Sequence, residues 1–156
     1  MCELDKLDLR ILKILQSNAW ISISEIAKRL NTPNTTVRYR IERLIRNGVI
    51  KKIAAILDPV KVGYPITLII LLKVDRRRLD QIFDKISKFK ELHHLFQITG
   101  RYDLIAILHA RDMDHLNELN NEIRKISGVK EAETLIATKR MYIKSELYLD
   151  DILVKT

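Results

Sequence analysis

The segment "ILDPVKVGYP" (56–65) indicates a hinge between two modules with different hydrophobic patterns. Before "ILDPVKVGYP" (56–65), apolar residues recur every three to four positions, as in amphipathic helices. After it, apolar runs such as "ITLIILLKV" (66–74) alternate with further helical segments. The segment itself holds two of the three prolines, which indicates a hinge. The sequence therefore predicts a module over 1–50, a linker strand and hinge over 51–65, and a module over 66–156.

The positive charge of the chain is concentrated in the first of these modules. Residues 1–63 hold 12 Lys and Arg against 6 Asp and Glu, whereas residues 64–156 hold 16 against 14. Most of the net charge of +8 thus lies in the N-terminal two-fifths. This asymmetry predicts a module that faces a polyanion. Surface lysines that serve solubility alone would also explain it.

Two amphipathic helices are predicted before residue 31. In "LDKLDLRILKILQSNA" the apolar positions fall on one helix face: Leu7, Ile11, Ile14 and Leu15. Asp5 and Asp8 lie near the start of this helix, where negative charge suits the helix dipole. "SEIAKRL" predicts a second, short helix with Ser24 as its cap and one buried stripe: Ile26, Ala27 and Leu30.

A third helix is predicted from Thr32 as N-cap and Pro33 as first helical residue to about Arg46. Its inward positions are Val37, Ile41, Leu44 and Ile45. Gly48 suits a left-handed C-terminal turn. "VIKKIAAIL" (49–57) then predicts a strand. Three short helices with a tight break before the third, followed by a strand, are typical of a winged-helix-like helix-turn-helix.

In a helix-turn-helix, the N-terminal part of the third helix enters the DNA major groove. Side chains predicted to read base edges there are Asn34, Thr35, Thr36, Arg38 and Tyr39. Side chains predicted to neutralise phosphates are Lys28, Arg29, Arg40, Arg43, Lys51 and Lys52. A solvated polar helix face beside a small core is the alternative interpretation.

The second module follows the order βαββαβ, which is that of a ferredoxin-like fold. Its strands are predicted in "ITLIILLKV", "LHHLFQIT", "DLIAILHA" and "VKEAETLIATKRMYI", and its helices in "RRRLDQIFDKISKF" and "MDHLNELNNEIRKI". The fold class is therefore α+β, with an N-terminal helix-turn-helix and a C-terminal ferredoxin-like domain. Helices cover one face of such a sheet, yet 66–72 and 104–108 are apolar at nearly every position. The second face is predicted to pack against the same sheet of another chain.

No arrangement of residues in the sequence indicates catalysis, a metal or a cofactor. His93 and His94 are adjacent on a predicted strand, so their side chains are expected on opposite faces, unable to share a metal. No Gly-rich phosphate loop or other catalytic motif is present. The longest apolar run, 66–72, is too short to span a bilayer. An acylphosphatase-like enzyme on the same fold remains an alternative.

The loop "TGRYD" (99–103) is a candidate ligand site. Gly100 leaves backbone N–H groups accessible at a turn between strands, and Asp103 adds a carboxylate. Such groups could hold the carboxylate and the ammonium of a free amino acid. A β-turn in which Asp103 bonds to nearby backbone explains the pattern equally well.

The segments "LDKLDLRILKIL", "ISEIAKRLNTPNTTVRYRIERLIRNGVIKK", "LDPVKVG" and "TGRYDLIAILHA" resemble, in order and spacing, those of the Lrp/AsnC (feast/famine) family of transcription regulators. The resemblance implies dimers formed through the C-terminal sheets, and tetramers or octamers of them. It also implies an amino-acid effector near the loop and the last strand, at Thr99, Gly100, Tyr102, Asp103, Thr134 and Ile136. Trp20 departs from the family pattern, which usually has a basic residue at this position.

The sequence thus predicts a cytoplasmic, sequence-specific DNA-binding regulator and no enzyme. It would bind a pseudo-palindromic operator as a dimer or larger assembly, with a small effector such as an amino acid. An architectural, chromatin-like protein with little sequence preference is one alternative. A ferredoxin-like small-molecule-binding module is the other.

Overall fold

The computed structural model describes residues 3–138 and 146–149. These form two compact units, the first of residues 3–55 with 146–149 and the second of residues 56–138. The first unit contains three helices: α1 (Lys6–Ser17), α2 (Ile23–Leu30) and α3 (Asn34–Arg46). The predicted helix-turn-helix is confirmed.

The starts of α1 and α2 are fixed by side-chain caps. Asp5 and Asp8 form a capping box, in which each carboxylate accepts the backbone N–H of the other residue, at 2.9 and 3.1 Å. The cap of α2 is Ser22, and the prediction of Ser24 is wrong. Ser22 has extended backbone, and its Oγ accepts the N–H of Glu25 at 3.1 Å, whereas Ser24 already lies inside the helix.

The start and the inner face of α3 differ slightly from the prediction. Pro33 stands at the cap position, and the Thr32 hydroxyl donates instead to the Leu30 carbonyl at 3.1 Å. Val37 and Leu44 are fully buried, but Ile45 is 47% exposed. Ile45 lies about 100° around the helix from Leu44, beyond what the small three-helix core covers. Its predicted inward direction is therefore wrong.

The predicted strand over 49–57 is absent from the described structure. Residues 51–58 have no regular secondary structure, and Ile53, Ile56 and Leu57 are all more than half exposed. A strand needs a neighbour for its backbone hydrogen bonds, and none of the described strands pairs with this segment. Within the described residues, the helix-turn-helix therefore has no wing.

The second unit has the predicted βαββαβ order. Its elements are β1 (Ile66–Val74), α4 (Leu79–Ile86), β2 (Leu92–Gln97), β3 (Leu104–Ala110), α5 (Met113–Arg124) and β4 (Val129–Ile136). A single 3₁₀ turn, Arg76–Arg78, precedes α4. The strands form one antiparallel sheet in the order β2-β3-β1-β4. The last strand was predicted to continue to residue 143, and positions 139–143 lie outside the described residues.

The two faces of the sheet differ in burial. Along β1 and β3, buried residues alternate with half-buried ones. The buried set packs under α4 and α5 against Ile82, Leu119 and Ile123. The other face, here called the open face, carries half-buried or exposed apolar side chains, namely Ile69, Leu71, Phe96, Ile105, Ile107 and Leu135. Apolar side chains therefore lie on both faces, as the sequence predicted.

Candidate nucleic-acid interface and effector loop

The N-terminal half of α3 presents polar side chains away from the domain core. Because Val37 and Leu44 are fully buried, residues about 100° to 180° around the helix from them face outward. Four of the five side chains predicted to read bases are exposed, namely Asn34, Thr35, Arg38 and Tyr39. The fifth, Thr36, is half-buried. The structure thus brings these residues together on one surface. Base readout by them remains a prediction.

The beginnings of α2 and α3 are in contact. The Asn34 Nδ2 donates to the Ser24 Oγ at 3.3 Å. No side-chain hydrogen bond caps the backbone N–H groups in the first turn of α3. Hydrogen-bond donors and the positive end of the helix dipole are therefore concentrated at this place.

Arg40 and Arg43 are half-buried and pair with acidic residues at the start of α1. Arg40 pairs with Asp5, and with Asp8 at 3.3 Å, while Arg43 pairs with Asp8. The Asp8 side chain is fully buried. Burial raises the pKa of Asp5, but the hydrogen bonds from the Asp8 N–H and the Arg40 guanidinium outweigh burial. The pKa of Asp5 therefore lies below its usual range. These arginines were predicted to contact phosphate. That role remains a prediction, and the ion pairs give them a structural one.

The other residues predicted to contact phosphate are on the surface. Lys28, Lys51 and Lys52 are exposed. Arg29 is also exposed and pairs with Glu25 one helical turn earlier, at 3.0 Å. Exposed lysines can reach a polyanion without breaking an internal ion pair. Their contact with phosphate remains a prediction.

The predicted effector loop borders an open cavity of about 430 Å³ in the second unit. Gly100 has a φ of 114°, a conformation that L side chains rarely adopt, so the tight turn requires glycine. Three of the six predicted effector residues line the cavity: Thr99, Gly100 and Asp103. Its remaining lining was not predicted, and consists of Arg76, Leu79, Asp80, Gln97 and Ile98. In the sequence, only the charged segment "RRRLD" (76–80) could have indicated these lining residues.

Asp103 holds the loop against the sheet. Its carboxylate accepts the Val74 N–H at 3.0 Å and lies 3.2 Å from the Arg76 Nε. The Lys73 ammonium is 3.4 Å away. The hydrogen bond from Val74 is the largest cause that keeps the Asp103 pKa below its usual range, and Arg76 and Lys73 add to it. Asp103 is therefore an anchor of the loop as well as part of the cavity wall.

The other three predicted effector residues do not line the cavity. The Tyr102 hydroxyl lies between Glu131 and Glu133 on β4, and the hydrogen bond to Glu133 raises the pKa of Tyr102 to about 12. Thr134 donates to the Asn120 Oδ1 on α5 at 2.8 Å. Ile136 is 44% exposed at the end of β4. In the described part of one chain, the six predicted effector residues therefore do not form one site.

The histidines of β2 correct another prediction. A β-bulge between Leu92 and His94 breaks the alternation of the strand. The rings of His93 and His94 therefore lie 4.2 Å apart, and the His109 ring is 5.0 Å from that of His93. Burial is the main cause that lowers the pKa of His93 and His109. Nevertheless, among residues 3–138 and 146–149, no three ligand side chains are placed to hold a metal ion.

Comparison with known proteins matches both units. Residues 4–51 match the winged helix-turn-helix DNA-binding model, and residues 67–147 match the Lrp/AsnC ligand-binding domain. An uncharacterised HTH-type transcriptional regulator of Pyrococcus horikoshii is 37% identical over 137 residues, which cover 87% of each chain. The HTH-type transcriptional regulator FL11 of that organism is 33% identical over 144 residues, 92% of this chain and 95% of its own.

Solved structures show the same arrangement of elements. A transcriptional regulator of Neisseria meningitidis in complex with L-Met has a TM-score of 0.86 at 23% identity, covering 97% of this chain and all of its own. AsnC of Escherichia coli has a TM-score of 0.82 at 25% identity, covering 92% of this chain and 98% of its own. None of the helices in the described parts of the chain is long and apolar enough to cross a bilayer.

Proteins that carry a helix-turn-helix and a ligand-binding domain in the same polypeptide form a class of transcription regulators. The helix-turn-helix and the two matched domains place this chain in that class. The chain belongs to the Lrp/AsnC family, whose members are transcription regulators and not enzymes.

Proposed function

We propose that this regulator reads a specific, pseudo-palindromic DNA sequence in the cytoplasm as a dimer or a larger assembly, under the control of a small effector such as an amino acid. One observation carries the proposal of sequence reading. Hydrogen-bonding side chains cover the outward surface at the start of α3, while Val37 and Leu44 of the same helix are buried. Base edges in the major groove are recognised by side chains of these types.

The open face of the sheet supports assembly. Apolar side chains from four strands lie half-buried or exposed on it, and a second copy of the sheet would cover them. A twofold dimer would also present two copies of α3 to two half-sites. Predicted effector residues that do not meet within one chain, such as Tyr102 and Thr134, could contribute to effector sites completed by another copy.

Binding to the fragment upstream of the protein's own gene tests sequence reading. Fluorescence anisotropy would be measured in about 150 mM salt with excess competitor DNA, because specific binding typically exceeds nonspecific binding by about 10³ or more. Tight binding that survives the competitor supports the proposal. If it is lost, selection from a genomic library follows.

Failure of that selection to enrich any site would favour the architectural alternative, for which we expect a steep salt dependence and similar affinity for all sequences. The basic N-terminal unit is the observation that keeps this alternative open. Ligand turnover without DNA binding would instead point to the small-molecule module.

The chemistry of the loop cavity suits a zwitterion. Arg76 offers a guanidinium for a carboxylate, and Asp80 offers a carboxylate for an ammonium. Calorimetry with the common L-amino acids tests this, and L-Met is included because the Neisseria regulator was solved with it. We expect Arg76→Ala to weaken binding of the effector and Arg77→Ala, an exposed neighbour that does not line the cavity, to leave it unchanged. Equal effects of both changes would argue against the cavity as the site.

A further inference from the structure

Trp20 is the only tryptophan of the chain, and its side chain is 96% exposed. It lies in the turn between α1 and α2, whose backbone is hydrogen-bonded: the Trp20 N–H donates to the Asn18 Oδ1 at 3.0 Å, and the Ile21 N–H to the Asn18 carbonyl at 3.4 Å. A fixed turn that directs a large indole into solvent leaves much apolar surface exposed, and tryptophan is enriched at interfaces.

The turn leads into α2, whose first turn contacts the start of α3. Trp20 precedes the α2 cap, Ser22, by two residues. Ser24, in the first turn of α2, is hydrogen-bonded to Asn34 at the start of α3. The approach to α2 and the start of α3 are therefore neighbours. In helix-turn-helix complexes the first helix of the motif crosses the sugar–phosphate backbone beside the groove that the second helix enters.

An indole has the chemistry for a contact with that backbone. Its ring can cover the apolar part of a deoxyribose, and its Nε1–H can donate to a phosphate oxygen. Such a contact carries no charge, so it adds affinity without releasing counterions. It also carries no sequence information, because sugar and phosphate are common to all sites.

We propose that Trp20 binds the DNA backbone beside the major groove occupied by α3, as a neutral contact that adds affinity equally to all sequences. The proposal rests on DNA entry along α3 and does not require sequence-specific binding. It can therefore be tested on DNA of mixed sequence at low salt, even if no preferred site is found.

The fluorescence of Trp20 reports the contact directly, because no other tryptophan contributes. The full chain would be titrated with acrylamide, a neutral quencher, alone and with saturating DNA, while anisotropy of a labelled duplex confirms binding. We expect quenching of Trp20 to fall several-fold in the complex. Unchanged quenching at saturation would overturn the proposal. Protection that instead depends on protein concentration without DNA would show a second copy as the occupant, which also overturns it.

Two substitutions separate a DNA contact from a structural role. We expect Trp20→Ala to weaken binding about fivefold to fiftyfold on all sequences, as for loss of a large interface aromatic, with the salt dependence unchanged. Trp20→Lys should recover affinity at low salt and steepen the salt slope by about 0.9, because it adds one phosphate contact. Leu57→Ala, at another exposed apolar residue, is the control and should have no effect. Full affinity of Trp20→Ala, or a Trp20→Lys slope equal to that of the wild type, would contradict the proposal.

Discussion

The arginines of α3 differ in what their guanidinium groups contact, although they belong to one short helix. Arg38 is exposed and is one of the residues predicted to read bases. Arg40 and Arg43, in contrast, pair with Asp5 and Asp8 of α1. A buried carboxylate needs such partners, because an uncompensated charge in a protein interior is costly. Position along the helix therefore separates the exposed Arg38 from the two arginines that pair with the start of α1.

Loss of the buried carboxylate tests the structural role of these ion pairs. We expect Asp8→Ala to lower the free energy of unfolding by about 3–5 kcal/mol, because both arginines lose a partner in a partly buried place. Urea unfolding followed by circular dichroism measures this. Glu42→Ala, at an exposed acidic residue of α3, is the control and should change stability by less than about 0.5 kcal/mol. Similar stabilities for the two variants would show that the ion pairs contribute little.

Arg38 is expected to specify sequence, whereas Lys52 is expected to contribute only affinity. Arg38→Ala should cost about 1–3 kcal/mol on the selected operator and relax the preference at one base pair. Lys52→Ala should weaken binding to all sequences alike and reduce the salt slope by about 1. Anisotropy on the operator and on a set of single-base variants compares them. Loss of affinity that is the same for every sequence in Arg38→Ala would reassign this residue to phosphate.

Asp103, the buried last residue of the loop between β2 and β3, holds that loop against the sheet. Asp103 is bonded to Val74 on the neighbouring strand β1 and to Arg76 before α4. The sequence suggested a ligand-binding carboxylate or an Asp bonded to its own turn. The structure shows a third arrangement, a bond between elements, because β1 and β3 are paired in the sheet.

The depressed pKa of Asp103 predicts a specific loss of stability in acid. A carboxyl whose pKa is lower when folded stabilises the protein above its unfolded pKa, about 3.9, and this contribution is lost as the pH falls through the folded pKa. We therefore expect Asp103→Asn to be less stable than the wild type at neutral pH, and the difference to shrink below about pH 4. Urea unfolding at a series of pH values measures it. Asp84→Asn, at an exposed acid of α4, should show no such difference at any pH.

At the scale of the whole molecule, the open face predicts self-association. Ile107 lies on β3 with its side chain on this face, opposite Ile69 of β1 and His94 of β2. We expect Ile107→Glu to raise the dimer dissociation constant by about two orders of magnitude or more, because an unpaired charge in an apolar interface is costly. Sedimentation equilibrium measures it, and Lys85→Glu on the exposed side of α4 is the control. An unchanged molecular mass for Ile107→Glu would place the interface elsewhere.

Much of the fold followed from the sequence because its signals are local. The three N-terminal helices and the βαββαβ order were predicted from hydrophobic period, and the structure confirms them. Errors arose where two local signals compete. Ser22 and Ser24 are both plausible caps, as are Thr32 and Pro33 at the start of α3, and only the backbone path selects between them. The segment 49–57 has strand composition, yet a strand is defined by its partner and not by its residues.

The sequence by itself determined which elements form and in what order, because helix and strand periods depend on residues a few positions apart. It also determined that α3 begins with a group of exposed hydrogen-bonding side chains. Only the tertiary structure decided that Arg40 and Arg43 pair with Asp8, which lies 32 and 35 residues away along the chain. It likewise brought His93 beside His109 through a bulge and turned Tyr102 away from the loop cavity. Contacts between distant residues depend on the packing of whole elements, and no local pattern of residues encodes that packing.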